Sequence, residues 1–208
     1  MRANLDLLTP AEAAVVAGVT VRDVNRAIDE GILPKRFYTV VGGRRVDAAG
    51  CTYVRFYFYA AKALTPDERT LVIRKLSTSP KAPGAEAWMV RDGFLTIDLK
   101  DFAADTEKQR SKLDAARDMV VEDPGILAGT PVVRGTRVPV YDVATSAAAG
   151  IAMADILEAY PGLDETSVEL AAIYAEATPP RGRPRRATDI EPTLRLISSR
   201  KVPRRHLA

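Results

Sequence analysis

The sequence predicts a mainly α fold with short β-hairpins, an α+β arrangement, on three observations. Two Thr-Pro pairs, at Thr9 and Thr65, each have a glutamate three residues after the threonine, which is typical of the first turn of a helix. Two turn signals, Gly42-Gly43 and Asp92-Gly93, lie between β-rich runs and predict hairpins. The segment DPGILAGTPVVRGTRVPV at residues 123 to 140 has three glycines and three prolines, which exclude a helix and favour turns and short strands.

Composition favours a soluble protein built from small domains. The chain has 208 residues, 47% of them hydrophobic and 27% charged, which is enough for two compact cores. A single cysteine, Cys51, excludes an internal disulfide, and neither an apolar leader nor an apolar run of membrane length is present. We therefore expect a cytoplasmic protein with no membrane partner. Motifs and composition divide the chain into residues 1–76, 77–118, 119–177 and 178–208.

Residues 8–34 contain two consecutive helix starts. After the first start, Gly18 interrupts the helix, and Thr20 with Asp23 repeats the capping pattern eleven residues after Thr9. Gly31 then ends the second helix. Its apolar residues recur at spacings of three and four (Val21, Val24 and Ile28), and the opposite face is polar (Arg22, Asn25, Arg26 and Asp29).

Two short helices joined by a glycine turn are the pattern of a helix-turn-helix whose second helix enters the major groove, where arginine reads guanine and asparagine reads adenine. The run FYTVVGGRRVDAAG at residues 37 to 50 predicts a hairpin in the place of a wing, with two arginines just after its tip. We therefore expect residues 1–76, whose net charge is +4, to be a winged helix-turn-helix-like domain that binds promoter DNA. The candidate DNA-binding residues are Thr20, Arg22, Asn25, Arg26, Arg44 and Arg45. The alternative is that these charges form an ordinary solvated face.

Residues 51–76 predict two helices, and the first is crowded with aromatic side chains. It holds five of the thirteen aromatic residues of the chain, namely Tyr53, Phe56, Tyr57, Phe58 and Tyr59. We expect most of them to pack in the core and some to pair subunits in a homodimer, which suits binding to paired half-sites.

Residues 77–118 are expected to be a connector with a hairpin and a helix. A loop over residues 77–87 is followed by two β-like runs around a two-residue turn at Asp92-Gly93. The helix over about residues 100–117 is charged and only weakly apolar, so we expect it to lie on the surface rather than in the core.

Residues 119–177 carry a specific set of motifs. They are D-P at Asp123-Pro124, G-x-P from Gly129 to Pro131, R-G-T-R-V-P-V at residues 134–140 and A-Y-P-G-L at residues 159–163. Through these motifs the segment closely resembles a small bacterial domain of unknown function that often follows a helix-turn-helix domain in VapB-type antitoxins of VapBC toxin-antitoxin systems. The resemblance implies that the N-terminal domain binds the operon's promoter and that the C-terminal tail binds the toxin.

The same residues predict their own local structure. Turns and short strands lead into three helices, and Asp164 caps the last of them. The glycine spacing matches neither of the common phosphate-binding loops, so Arg134 and Arg137 are expected to fasten the turn to the helices or to a second subunit, with DNA contact as a lesser possibility. Whether the segment binds DNA or only dimerises stays open.

Residues 178–208 form a basic tail. Nine basic and two acidic residues give it a net charge of +7, whereas the rest of the chain has a net charge of −4. VapC-type toxins are PIN-domain ribonucleases with a carboxylate cluster, and the resemblance implies that arginines of the tail block it, since guanidinium pairs bidentately with carboxylate. The candidate toxin-binding residues are Arg181, Arg183, Arg185, Arg186, Leu194, Arg195, Ile197 and Arg200. The alternative is a basic arm that binds DNA or RNA nonspecifically.

The expected function is therefore an antitoxin that neutralises a PIN-domain ribonuclease and represses its own promoter. The rival is a free-standing DNA-binding transcription regulator without a toxin. Enzymatic activity is not expected, because Cys51 and His206 are the chain's single cysteine and histidine and lie at opposite ends. We accordingly expect no catalytic residues, no metal site and no cofactor.

Overall fold

The N-terminal helix pair forms where the two capping patterns predict it. The structure, a computed structural model, describes residues 7–79 and 81–180. Helix α1 spans Pro10–Ala17 and α2 spans Val21–Asp29, and each begins at a complete capping box. At Thr9 the hydroxyl accepts a hydrogen bond from the Glu12 amide (3.2 Å), and the Glu12 carboxylate accepts one from the Thr9 amide (2.7 Å). Gly18 ends α1 with a φ of 66°, a left-handed conformation that favours glycine.

A three-stranded antiparallel sheet lies beside the helix pair. Strands β1 (Leu7–Leu8), β2 (Tyr38–Thr39) and β3 (Arg45–Asp47) have the order β1-β3-β2, and β2 and β3 form the expected hairpin. The expectation that this segment continues as a hairpin to residue 50 is wrong. Asp47 accepts a hydrogen bond from the Ala49 amide (2.9 Å) and caps a helix that begins at Ala48, so β3 is only three residues long.

Helices α3 (Ala48–Tyr59) and α4 (Pro66–Thr78) complete the N-terminal core. The aromatic cluster of α3 is largely internal, as predicted: Tyr53, Phe56 and Tyr57 are buried, whereas Tyr59 is 54% exposed. Its role in pairing subunits stays a prediction.

The hairpin after α4 consists of β4 (Ala87–Val90) and β5 (Leu95–Asp98), paired antiparallel. The prediction of a two-residue turn is wrong. Val90 pairs with Leu95, which leaves a four-residue loop in which Arg91 and Asp92 both have left-handed φ values, 55° and 56°. The loop is longer because the last paired residues are apolar and pack towards the core side, with Val90 only 5% exposed.

Helix α5 (Lys100–Met119) lies in the centre of the structure, so the prediction of a surface connector is wrong. It packs against α1, against α3 and against the helix at Glu165–Ala177. Thr106, Leu113 and Ala116 are buried at spacings of seven and three, which places them on one helix face. Because two of these three residues are a threonine and an alanine, the sequence pattern gives only a weak sign of a buried face, although the face is buried in the fold.

The C-terminal segment has the predicted hairpin and three helices. Strands β6 (Val120–Val121) and β7 (Val132–Val133) pair antiparallel, and α6 (Val140–Ala148), α7 (Met153–Ala159) and α8 (Glu165–Ala177) follow. These helices bury a second apolar cluster. The two clusters are continuous, because Ile173 of α8 packs against both and Ala177 belongs to the first. No helix within the described part of the chain is long and apolar enough to cross a membrane.

An ion pair joins α1 to the end of α5, and its contribution to stability is expected to depend on pH. Arg117 Nη2 lies 2.9 Å from Glu12 Oε1. Burial alone raises the pKa of Glu12, but hydrogen bonds from Arg117 and Thr9 outweigh it and the pKa is lowered overall. A carboxyl whose pKa is lowered by folding stabilises the fold above its unfolded pKa, and this contribution is lost as the pH falls through the folded pKa.

We therefore expect Arg117→Ala to lower the free energy of unfolding at neutral pH and the difference from wild type to shrink below the folded pKa of Glu12. Denaturant titrations across this range, with Lys108→Ala on the same helix as the control, measure the effect. A difference that stays constant with pH would show that Arg117 does not act through Glu12.

Candidate nucleic-acid interface

The polar face of α2 is exposed because most of its apolar face is used in packing. Val21, predicted to belong to the same apolar stripe, is instead 43% exposed, since it is the first residue of the helix. Val24 and Ala27 are 0% exposed and Ile28 is 6% exposed, which leaves the other side of the helix at the surface. There, seven side chains line one shallow depression: Thr20, Arg22, Asp23, Asn25, Arg26, Asp29 and Glu30. Four of them, Thr20, Arg22, Asn25 and Arg26, are candidate DNA-binding residues predicted from the sequence. The other three are acidic.

The hydroxyl of Thr20 is committed to capping α2. It accepts a hydrogen bond from the Asp23 amide (3.1 Å) and donates one to the Asp23 carboxylate (2.7 Å). Thr20 therefore sets where α2 begins. Its exposed position keeps it at the edge of the polar face.

The two α2 arginines differ in their partners. Arg26 forms an i,i+4 pair with Glu30, whose carboxylate oxygen lies 2.9 Å from Nε. Arg22 is exposed and has no hydrogen-bond or ion-pair partner among the described residues. Arg22 is therefore the α2 cation that an anionic ligand meets without first displacing a carboxylate.

The β2–β3 hairpin stands next to this face and is joined to it by Arg44. Arg44 donates to the Asn25 side-chain oxygen (2.8 Å) and forms two hydrogen bonds with Asp29, of 3.2 Å and 2.8 Å. Arg45, the next residue, donates to the Arg44 carbonyl, at 3.2 Å. At the hairpin tip, Val40 and Val41 are 58% and 87% exposed.

Sequence reasoning missed two exposed cations that follow α2 and the pairing of Asp29 with Arg44. Lys35 and Arg36 lie on the single 3-10 turn between α2 and β2, and both are exposed. Their position between the polar helix and the hairpin was the available signal. The role of Asp29 as the partner of Arg44 had no signal, because fifteen residues separate the two.

The signature segment, as we call residues 119–177 with their set of motifs, is fastened to α5 through Arg134. Nε and Nη2 of Arg134 donate to the Asp118 carbonyl, at 2.8 Å and 2.6 Å, at the end of that helix. This confirms the predicted anchoring role for Arg134. Arg137 is exposed and has no such partner within the described ranges. Its anchoring role therefore stays a prediction.

The end of α8 is held in place before the tail begins. The Tyr141 hydroxyl donates to the Thr178 carbonyl (2.7 Å), and the Tyr141 and Tyr174 rings lie 6.1 Å apart. Burial, with the neighbouring Tyr141 and Glu122, raises the pKa of Tyr174 to about 12. All the candidate toxin-binding residues lie outside the described residues, namely Arg181, Arg183, Arg185, Arg186, Leu194, Arg195, Ile197 and Arg200.

The described residues contain no group of three or more histidine, cysteine, aspartate or glutamate side chains arranged to hold a metal ion. Burial raises the pKa of the Cys51 thiol to about 12, so this cysteine is held as the neutral thiol at physiological pH. The side chains that line the α2 depression are charged or carry hydrogen-bonding groups.

Comparisons with known proteins identify relatives of the chain. A family model described as a protein of unknown function, DUF433, matches residues 120–175, which coincide with the signature segment. Over 213 aligned residues the chain is 47% identical to the uncharacterized protein y4eO of Sinorhizobium fredii (strain NBRC 101917 / NGR234), an alignment that covers 99% of this chain and 96% of that protein. No solved structure matches the chain.

Proposed function

We propose that this chain, which belongs to the same protein family as y4eO of Sinorhizobium fredii, is an antitoxin that binds its own promoter as an autorepressor and neutralises a PIN-domain ribonuclease through its basic tail. In this proposal residues 1–76 form a winged helix-turn-helix-like DNA-binding domain. The protein acts as a homodimer in the cytoplasm and is not an enzyme.

One observation carries the DNA-binding part: the polar face of α2 is exposed beside a two-stranded hairpin. An α-helix fits the major groove, and side chains on its exposed face reach the base edges there. Arg22 supplies a guanidinium without an ion-pair partner among the described residues, and Lys35, Arg36 and Arg45 supply positive charge on the turn and the hairpin that follow α2. Cations that flank a reading helix position it on the phosphate backbone.

We expect Arg22→Ala to weaken binding to the promoter by about 1–3 kcal/mol and to relax the preference for one base pair, because a bidentate contact from arginine to guanine contributes this much. Fluorescence anisotropy with the DNA upstream of the protein's own gene measures the affinity. Lys108→Ala removes a positive charge from α5 and is the control. Equal affinities for Arg22→Ala and wild type would exclude Arg22 from base reading.

The antitoxin part rests on the signature segment and the charge of the tail. The signature resembles the domain found in VapB-type antitoxins, and residues 178–208 have a net charge of +7. An arginine-rich segment is chemically suited to the carboxylate cluster of a PIN-domain ribonuclease. The bond from Tyr141 to Thr178 supports this proposal, since it holds the first residue of the tail against α6.

Affinity capture with tagged full-length protein from its native cells tests both parts together. Recovery of a small ribonuclease with a carboxylate site, together with DNA from the protein's own promoter, is the expected result. Recovery of many promoters without a protein partner would instead support a free-standing transcription regulator. That second candidate is favoured by one feature: the helices and hairpin that would contact DNA all precede the tail and do not depend on a toxin.

A further inference from the structure

The Arg44 side chain bridges the hairpin and α2 through three hydrogen bonds. Two go to the two oxygens of Asp29 and one goes to the Asn25 side-chain oxygen, at distances between 2.8 Å and 3.2 Å. A bidentate guanidinium–carboxylate pair holds both groups in a defined orientation. The bridge therefore sets the position of the hairpin relative to the helix.

This bridge also determines which group Asn25 presents to the outside. A guanidinium has five N–H donors and no acceptor, so the atom of Asn25 that faces Arg44 must be the carbonyl oxygen. The Asn25 amide nitrogen is then directed away from Arg44. Asn25 is half-buried and lines the depression, and its amide N–H groups have no hydrogen-bond acceptor among the described residues, so they can donate to a ligand there.

We propose that Arg44 is a positioning residue, and that together with Asp29 it fixes Asn25 as a hydrogen-bond donor that selects a base with an acceptor in the major groove. The inference rests on the proposed DNA-binding function and deepens it. Guanine offers two acceptors, O6 and N7, and thymine offers O4, whereas adenine offers its N7 acceptor beside the N6 donor. Adenine, which requires asparagine to accept as well as to donate, is the less favoured partner.

Charge neutralisation supports the positioning role over a phosphate contact. Asp29 lies 2.8 Å from the Arg44 guanidinium and offsets its positive charge, whereas Arg22 has no such counter-charge among the described residues. Exposed single ion pairs contribute little, but a bidentate pair with a third partner belongs to a network that holds its geometry. Both side chains of the pair are partly exposed, at 38% and 57%, so the bridge can be tested by substitution without opening the core.

The sign of the effect of Asp29→Ala separates the two roles. Removal of an acid from a DNA-binding surface ordinarily strengthens binding. Glu30→Ala, at the residue that follows α2, is the matched control that should do so. If Arg44 is a positioning residue, Asp29→Ala weakens promoter binding by about 10-fold, the scale of one lost base contact. Tighter binding by Asp29→Ala, equal to that of Glu30→Ala, would overturn the inference.

The salt dependence of binding gives an independent readout for Arg44. A residue that neutralises one phosphate contributes about 0.9 to the slope of log affinity against log salt concentration. We expect Arg44→Ala to weaken binding by about 10-fold with the slope unchanged, and the Arg44→Ala/Asp29→Ala double variant to bind no more weakly than either single variant. A slope reduced by about 0.9 would identify Arg44 as a phosphate ligand and overturn the inference.

Asn25→Asp tests the donor assignment. The substitution keeps an oxygen for Arg44 and replaces the outward amide by an oxygen that only accepts. Selection from promoter DNA randomised at each position should then shift one base from guanine or thymine to cytosine, which offers its N4 donor. An unchanged preference, or a wild-type preference for adenine at that position, would overturn the assignment.

Failure of the inference and failure of the proposed function give different results. Wild-type protein that binds no promoter DNA would overturn the proposed function and the reading role of Asn25 together. Wild-type protein that binds promoter DNA, with Asp29→Ala binding it more tightly, would leave the function standing and overturn only the bridge. Side-chain amide NMR of Asn25 in the free protein adds a DNA-independent measurement, because Arg44→Ala must shift its resonances if the hydrogen bond exists in solution.

Discussion

A full-length chain in which Arg195 and Arg200 are both replaced by glutamate is expected to lose the proposed ribonuclease partner completely in affinity capture. Both arginines flank apolar residues of the tail, Leu194 and Ile197, which are suited to anchor a segment on a groove. The substitutions place negative charges opposite the carboxylates that the tail is proposed to bind, so attraction becomes repulsion. Loss of neutralisation in cells that express the toxin should accompany loss of capture.

The matched control is the double substitution of Arg204 and Arg205 by glutamate, which changes the tail charge by the same amount. If attraction is specific to the segment around Leu194, this control retains the partner. Equal loss in both variants would instead indicate a basic arm that binds through net charge alone. If the Arg195 and Arg200 variant still captures the partner, the toxin contact is expected instead at the other arginine cluster of the tail, residues 181–186.

Replacement of Leu113 by alanine is expected to lower the free energy of unfolding by about 2–5 kcal/mol, the range for leucine truncation in a packed core. Leu113 is only 1% exposed, and α5 packs against α1, α3 and α8. The cavity would therefore open between the helix pair and the C-terminal helices. Chemical denaturation followed by circular dichroism measures the change.

The same substitution at Leu71, a leucine of α4 that is 45% exposed, is the control. It should cost less than about 1 kcal/mol, because a surface position leaves no cavity. If Leu113→Ala lowers the free energy of unfolding as little as Leu71→Ala does, α5 is a surface connector in solution, as the sequence predicted. A large cost would confirm that α5 belongs to the core in solution.

Local structure was largely predictable from sequence. The starts of α1, α2 and α4 follow from Thr9, Thr20 and Thr65, since a capping box is formed between residues three apart. The start of α8 follows from Asp164 in the same way, as its carboxylate accepts from the Ser167 amide. The exposed polar face of α2 was also predictable, because the spacing of Val24 and Ile28 sets which side is buried.

The tertiary structure decided how these elements are used. The sequence by itself determined where helices begin and which residues stand on the exposed face of α2, because both depend on contacts within one helical turn. It did not determine that α5 is central, that Arg134 anchors to Asp118, or that Arg44 pairs with Asp29. Those contacts join residues about fifteen apart or on different elements, and their partners are chosen by the packing of the helices and hairpins rather than by any local pattern.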